Sequence, residues 1–120
     1  MRQHPQVLSR AKEYLSARDR LTISIITQYE ILRGLKARRA TSQLSRFGKF
    51  CESLEIIVLS TPIVIRAAEI YADLHRRGRL IGDADILIAA TAIENNLTLV
   101  SNNQTHFSRI TGLELNNWNL

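Results

Sequence analysis

Residues 83–103 read DADILIAATAIENNLTLVSNN, and this stretch decides the fold. Asp83 and Asp85 at its start suit the first turn of a helix, because carboxylates stabilise the positive end of the helix dipole. We predict that this helix runs over Ile86–Asn95 and that a short buried strand, Leu97–Val100, follows it and ends in a polar loop. A helix that leads into a buried strand is the repeating unit of an α/β fold.

The rest of the sequence alternates in the same way. We predict further helices over Pro5–Arg18, Thr27–Lys36, Thr41–Leu54 and from Thr61 to a stop at Gly78, and further strands over Leu21–Ile25, Ile56–Leu59 and Leu113–Leu115. The uniformly apolar Ile56–Leu59 is typical of a strand that is buried on both faces. This order predicts an α/β fold with a mostly parallel sheet, in one domain over residues 1–120.

Two of these helices are predicted from specific patterns. In the first, apolar residues recur at helical spacing, namely Val7, Leu8, Ala11, Tyr14 and Leu15. The second begins with Thr27 and Glu30, whose spacing is that of a capping box.

The composition is that of a globular protein with an affinity for polyanions. Of the 120 residues, 45% are hydrophobic and 22% are charged, and 16 basic against 11 acidic residues give a net charge of +5. A surplus of this sign favours nucleic acid as a partner. The single cysteine, Cys51, offers no internal disulfide, and the sequence shows neither a membrane-length apolar segment nor a secretory signal, so we predict a cytoplasmic protein.

Polar side chains follow the ends of two predicted strands, where open parallel sheets place their sites. Glu30 lies one helical turn past the first of these strands, Asp83 and Asp85 open the helix before the second, and Asn102 and Asn103 follow the second directly. Carboxylates that converge from separate segments suit Mg²⁺ or Mn²⁺, which can activate water against a phosphodiester. Each residue also has a simpler interpretation, as a helix cap or as a turn residue.

Basic residues cluster at the end of the capping-box helix, and histidines are scattered. The basic residues are Arg33, Lys36, Arg38 and Arg39. They are compatible both with contacts to an RNA backbone and with a solvated helix end. His4, His75 and His106 show no metal-binding spacing, and we interpret them as isolated surface residues.

Four segments together resemble VapC-type PIN domains. Residues 81–92, IGDADILIAATA, match the family signature IG-x-x-D-x-x-IAA-x-A, and residues 97–103, LTLVSNN, are similar to its LTLVTNN strand and loop. Residues 107–118 resemble its F-x-x-I-x-GL…NW ending, and residues 23–34, ISIITQYEILRG, resemble its IS-x-IT-x-x-E-L-x-x-G segment. Because the four segments follow the family's order and spacing, the resemblance covers nearly the whole chain and implies the PIN-like three-layer α/β fold.

The resemblance also implies a function and a set of site residues. VapC-type PIN domains are metal-dependent endoribonuclease toxins that cut tRNA or rRNA, form homodimers and are neutralised by a cognate VapB-like antitoxin. By position, Glu30 corresponds to the second acidic residue of the metal site and Asp85 to the third, so both are implied as catalytic residues that bind Mg²⁺ or Mn²⁺. Asn103 corresponds to the fourth metal-site position, near which some members carry a further acidic residue and this chain has His106. Asp83 falls at a position that the family does not fix.

The front of the chain departs from the family pattern. The family opens with a strand ending in LLDTN, whose Asp is the first metal ligand and which lies at the centre of the sheet, and this sequence has no such segment. We therefore expect one missing ligand and a gap between strands Leu21–Ile25 and Leu97–Val100, with edges open to pairing. A misplaced start codon, a shortened sequence and a decayed gene are all compatible with this departure.

Two functions from different classes follow from these observations. The first is an active endoribonuclease, which requires that the remaining ligands suffice for cleavage. The alternative is a catalytically inactive truncated PIN domain that acts only as an antitoxin- or RNA-binding module. Metal affinity, and loss of cleavage on Asp85→Asn, would separate the two. A helical DNA-binding protein, suggested by charge alone, disagrees with the predicted buried strands and with the lack of a helix-turn-helix pattern.

Overall fold

Five strands form one mixed sheet in the computed structural model, which describes residues 13–17 and 20–117. In chain order the elements are β1 (Glu13–Ala17), β2 (Arg20–Ser24), α1 (Ile25–Ala37), α2 (Thr41–Cys51), β3 (Glu55–Ile57), α3 (Thr61–Arg76), α4 (Asp83–Glu94), β4 (Thr98–Ser101), α5 (Gln104–Phe107) and β5 (Leu115–Asn116). The strand order is β3-β2-β1-β4-β5. In this described part of the chain, no helix is long and apolar enough to cross a membrane.

The central strand β1 is the main departure from the sequence analysis. It runs antiparallel to both neighbours, with Leu15 opposite Thr22 of β2 on one side and opposite Leu99 of β4 on the other. The outer pairs, β2 with β3 and β4 with β5, are parallel, so the sheet is mixed rather than mostly parallel. The expected gap between β2 and β4 is wrong, because β1 fills it. The predicted helix Pro5–Arg18 is wrong over residues 13–17, and its remainder lies outside the described residues.

Helices cover both faces of the sheet, which confirms the predicted three-layer α/β architecture. On one face, the core under α3 and α4 contains Leu15, Leu99, Ile70, Leu74 and Ile88. On the other face, the core under α1 and α2 contains Tyr14, Ile23, Val100, Leu35 and Phe47. Successive strand residues point to opposite faces. The adjacent pair Tyr14 and Leu15 therefore supplies one buried side chain to each core.

Helix α1 begins at Ile25, two residues earlier than the sequence predicts. Ser24, the last residue of β2, is its N-cap, and the Ser24 hydroxyl accepts a hydrogen bond from the Thr27 backbone N–H at 3.1 Å. Thr27 is therefore a first-turn residue, and its predicted capping box with Glu30 is wrong. The strand and the helix meet without a loop, which fixes the start of α1 directly at the end of β2.

The predicted strand Ile56–Leu59 lies at an edge of the sheet rather than in its interior. The observed strand β3 ends at Ile57, and Val58 is 59% exposed, so the predicted strand is two residues too long. Within β3, Ile56 and Ile57 are half-buried and pack against the cores on opposite faces, so the strand has apolar contacts on both faces but is not fully buried. In the sheet, β3 pairs with β2, with Ile56 opposite Ile23. As the end strand of the sheet, β3 has a neighbouring strand on one side only, so its apolar residues are half-buried rather than buried.

Candidate active site

Two buried serines mark the edge of the sheet where β2 and β4 end. Ser24 closes β2 and Ser101 closes β4, and both are 0% exposed. Because β1 runs in the opposite direction, its first residue, Glu13, stands at this same edge with its backbone opposite Ser101. In open α/β sheets, residues from separate segments meet at the carboxyl ends of the strands. This edge is therefore where a site is expected.

Asp85, Asn103 and His106 form a polar cluster beside this edge. The Oδ2 atom of Asp85, in the first turn of α4, lies 3.5 Å from Nδ1 of His106, and the side chain of Asp85 is 19% exposed. The Nδ2 atom of Asn103 lies 2.9 Å from the same ring nitrogen. The backbone N–H of Asn103 also donates a hydrogen bond to the hydroxyl of Ser101 at 2.9 Å, which ties the loop to the end of β4. Two of the predicted metal residues, Asp85 and Asn103, are thus connected through His106.

Glu30, the other predicted catalytic carboxylate, lies on the separate helix α1. Its side chain is 25% exposed, and its Oε2 atom is 3.8 Å from Nη2 of Arg33. Among the residues that the structure describes, no three His, Cys, Asp or Glu side chains form a group that could hold a metal ion. Glu30 therefore does not share one such group with Asp85 and His106. Asp83 is exposed in the first turn of α4, where its charge favours the helix dipole.

The donor chemistry of the cluster fits an open site for a divalent cation. Asp85 offers carboxylate oxygens and Asn103 offers an amide oxygen, which are the hard ligands that Mg²⁺ accepts. Mg²⁺ is usually held by one or two carboxylates while it keeps several waters and contacts substrate phosphate. The residues that are present fit this kind of site better than a closed cage of protein ligands.

The predicted RNA-binding residues form an exposed basic surface on and just after the last turns of α1. All four residues of this basic surface are exposed, namely Arg33, Lys36, Arg38 and Arg39. The guanidinium carbon of Arg33 lies 5.2 Å from the ring centroid of Tyr29, which is itself 57% exposed. A cation stacked on an aromatic ring combines the two groups that contact phosphates and bases in nucleic-acid-binding proteins.

His106 is the residue that the sequence analysis missed. We interpreted it as an isolated surface residue, and its side chain is indeed 41% exposed, but the isolation is wrong, because its ring nitrogen faces both Asp85 and Asn103. A signal for it existed: His106 follows Asn103 by one helical turn, in the polar segment directly after the last predicted internal strand. Its contact with Asp85, by contrast, depends on how α4 packs against β4, which local spacing does not reveal.

Comparisons with known proteins agree with this geometry. The PIN domain family matches residues 4–113. Ribonuclease VapC2 of Rickettsia felis is 35% identical over 116 residues, which cover 96% of this chain and 87% of that protein. The tRNA(fMet)-specific endonuclease VapC of Salmonella typhimurium is 33% identical over 100 residues, which cover 82% of this chain and 76% of that protein. The fold is similar to the crystal structure of VapBC2 from Rickettsia felis bound to a promoter DNA fragment, with a TM-score of 0.76, 36% identity, and coverage of 82% of this chain and 74% of that chain.

Proposed function

Because the chain belongs to the PIN-domain family, in its VapC branch, we propose that it is a metal-dependent endoribonuclease toxin that a VapB-like antitoxin neutralises. The cluster of Asp85, Asn103 and His106 at the carboxyl edge of the sheet carries this proposal. The Salmonella relative, whose name specifies a tRNA, supports tRNA as the substrate. The second candidate substrate is rRNA. The similarity to a VapBC complex supports the antitoxin as partner.

The side chains at the edge have distinct proposed roles in phosphodiester cleavage. When bound, a divalent cation such as Mg²⁺ or Mn²⁺ supplies an activated water and neutralises the charge that develops on the phosphate. Asp85 and Asn103 are the residues that would hold it. Glu30 is proposed as the second catalytic carboxylate, because its position corresponds to that residue in the resemblance to VapC-type PIN domains, and because its helix α1 starts directly at the end of β2.

Two surfaces outside the cluster are proposed to bind the partners. The basic surface of Arg33, Lys36, Arg38 and Arg39 would contact the RNA backbone. Exposed basic groups that neutralise phosphates release counterions, and this release favours binding. Exposed apolar side chains near the start of α3, such as Val64 (50%) and Ile65 (55%), offer contact area for a protein partner, either the antitoxin or a second copy in a homodimer. We place this assembly in the cytoplasm, where the RNA substrates are.

RNA cleavage by the purified chain tests the proposal. A mixed tRNA and rRNA pool is incubated with Mg²⁺ or Mn²⁺ and, separately, with EDTA. We expect metal-dependent cleavage that Asp85→Asn slows by about 100-fold, the upper range for losing a group of a metal site. Asp73→Asn is the matched control, because it makes the same chemical change on α3, where Asp73 binds Arg77 at 2.6 Å.

The control variant should cleave at the rate of the unmodified chain. Cleavage that persists in EDTA, or that Asp85→Asn leaves unchanged, would contradict the proposal. If the folded chain binds RNA or antitoxin but cleaves nothing with either metal, the inactive binding module becomes the better description.

A further inference from the structure

The geometry points to His106 as a nitrogen ligand of the metal site, so that the site prefers a divalent transition-metal ion to Mg²⁺. This inference rests on the proposed function, because it concerns the same cluster of Asp85, Asn103 and His106. His106 would add a nitrogen ligand to a site whose other ligands, from Asp85 and Asn103, are oxygens.

The separations in the cluster match those between ligands of one ion. Two ligands that bind a common ion at about 2.1 Å lie about 3.0 Å apart at a right angle and about 3.4 Å apart at the tetrahedral angle. Oδ2 of Asp85 is 3.5 Å from Nδ1 of His106, and the side-chain amide of Asn103 is 2.9 Å from the same nitrogen. The separations of Asp85 and of Asn103 from the His106 nitrogen are therefore each close to those between two ligands of one ion.

The hydrogen bonding of the cluster leaves a place for positive charge. When the Asn103 amide donates to Nδ1 of His106, no proton lies between that nitrogen and Oδ2 of Asp85, and two electron-rich atoms face each other. Half a turn of the amide would replace its Nδ2 by Oδ1. Three atoms with free lone pairs would then converge, and a bound cation would offset their repulsion.

The segment that carries His106 is held in place independently of any ion. Gln104 Nε2 donates hydrogen bonds to the backbone oxygens of Ser101 at 2.9 Å and Asn116 at 3.1 Å, which joins α5 to the ends of β4 and β5. Phe107, next to His106, is 0% exposed in the core. The imidazole is thus presented to Asp85 by a fixed backbone, which reduces the entropy lost when a ligand binds.

The chemistry of imidazole determines which ion is preferred. Carboxylate and carbonyl oxygens suit Mg²⁺, whereas imidazole nitrogen suits first-row transition metals, whose affinity increases from Mn²⁺ to Co²⁺ and beyond. A site with two oxygen donors and one nitrogen donor should therefore bind Co²⁺ more tightly than Mg²⁺. Cleavage supported by Mg²⁺ alone would not report this preference, so binding has to be measured directly.

The test is calorimetric titration of the tag-free, metal-free chain with Co²⁺ and with Mg²⁺. We expect Co²⁺ to bind at least about tenfold more tightly than Mg²⁺, and His106→Gln to lose about tenfold in Co²⁺ affinity while Mg²⁺ affinity changes less than about twofold. His106→Glu, which replaces nitrogen by carboxylate, should shift the preference towards Mg²⁺. His75→Gln is the control, because His75 stacks on Tyr71 of α3, with ring centroids 5.9 Å apart.

Three results would overturn the inference: equal affinity for the two ions, an unchanged Co²⁺ affinity in His106→Gln, or an equal loss in His75→Gln. The visible absorption of bound Co²⁺ should also change in His106→Gln, since it reports a lost nitrogen ligand. The proposed function fails separately. If the chain shows the His106-dependent Co²⁺ preference but cuts no RNA, the result supports this inference and contradicts the proposed function. If the chain cuts RNA but His106→Gln leaves its metal affinities unchanged, the result supports the proposed function and contradicts this inference.

Discussion

The neighbouring strands β1 and β4 contribute to the same core, although their sequences follow different patterns. Leu15 of β1 and Leu99 of β4 lie directly opposite each other, and both are 0% exposed. The sequence of β4 and of the helix before it agrees with its structure, whereas the segment that forms β1 has its apolar residues at helical spacing. The difference shows that a position at the centre of a sheet can override a local pattern.

The prediction with the largest expected effect compares the stability of the Leu15→Ala variant with that of the Leu99→Ala variant. If both leucines fill the same core, each truncation should lower the free energy of unfolding by about 2–5 kcal/mol. Urea denaturation, followed by circular dichroism, measures both variants under the same conditions. A cost for Leu15→Ala that is less than half of the cost for Leu99→Ala would mean that β1 does not occupy the centre of the sheet in solution.

Val58→Ala provides the baseline for that experiment. Val58 follows β3 and is 59% exposed, so its truncation should change the free energy of unfolding by no more than about 0.5 kcal/mol. The dependence of the unfolding free energy on urea should be the same for all three variants, because none changes the surface that unfolding exposes by much.

The same contrast explains which parts of the fold the sequence could predict. The helix with Asp83 and Asp85 in its first turn and the strand around Leu99 were predicted to within a few residues, because their signals are local. The pairing of Leu15 with Leu99 and the contact of Asp85 with His106 join residues that are distant in sequence, so no local pattern predicted them. The family resemblance implies which residues belong to the candidate site, but it does not give the distances between them.

The start of α1 is an intermediate case, and it gives the second test. The sequence pattern predicts that the cap is Thr27, whereas the structure has Ser24 as the N-cap, because β2 ends at Ser24. Loss of an N-cap hydroxyl costs about 1 kcal/mol, with a range of about 0.5–2 kcal/mol. We therefore expect Ser24→Ala to lower stability by this amount in urea denaturation, and Thr27→Val, which keeps the shape of a buried side chain, to lower it less. The opposite order would restore Thr27 as the cap.

The smallest expected effect tests the direction of β1. Because β1 is antiparallel to β2, its first residue, Glu13, stands at the carboxyl edge beside Ser101. The control residue Glu55 opens β3, where it lies opposite Thr22 in the middle of β2, and β2 and β1 separate β3 from β4. A negative charge at the backbone position opposite Ser101 should raise cation affinity through space, so Glu13→Gln should weaken Mn²⁺ binding by about threefold at low salt, and Glu55→Gln should not.

Titration of both glutamine variants with Mn²⁺ at low and at high salt completes this test. The effect of Glu13→Gln should shrink as salt is added, because interactions across several ångströms of solvent-exposed surface are screened. Equal Mn²⁺ affinities in the two variants would imply that the start of β1 is not at the edge that carries Asp85 and Asn103. An effect of Glu13→Gln that persists at high salt would instead indicate that solvent does not screen the interaction between residue 13 and the ion.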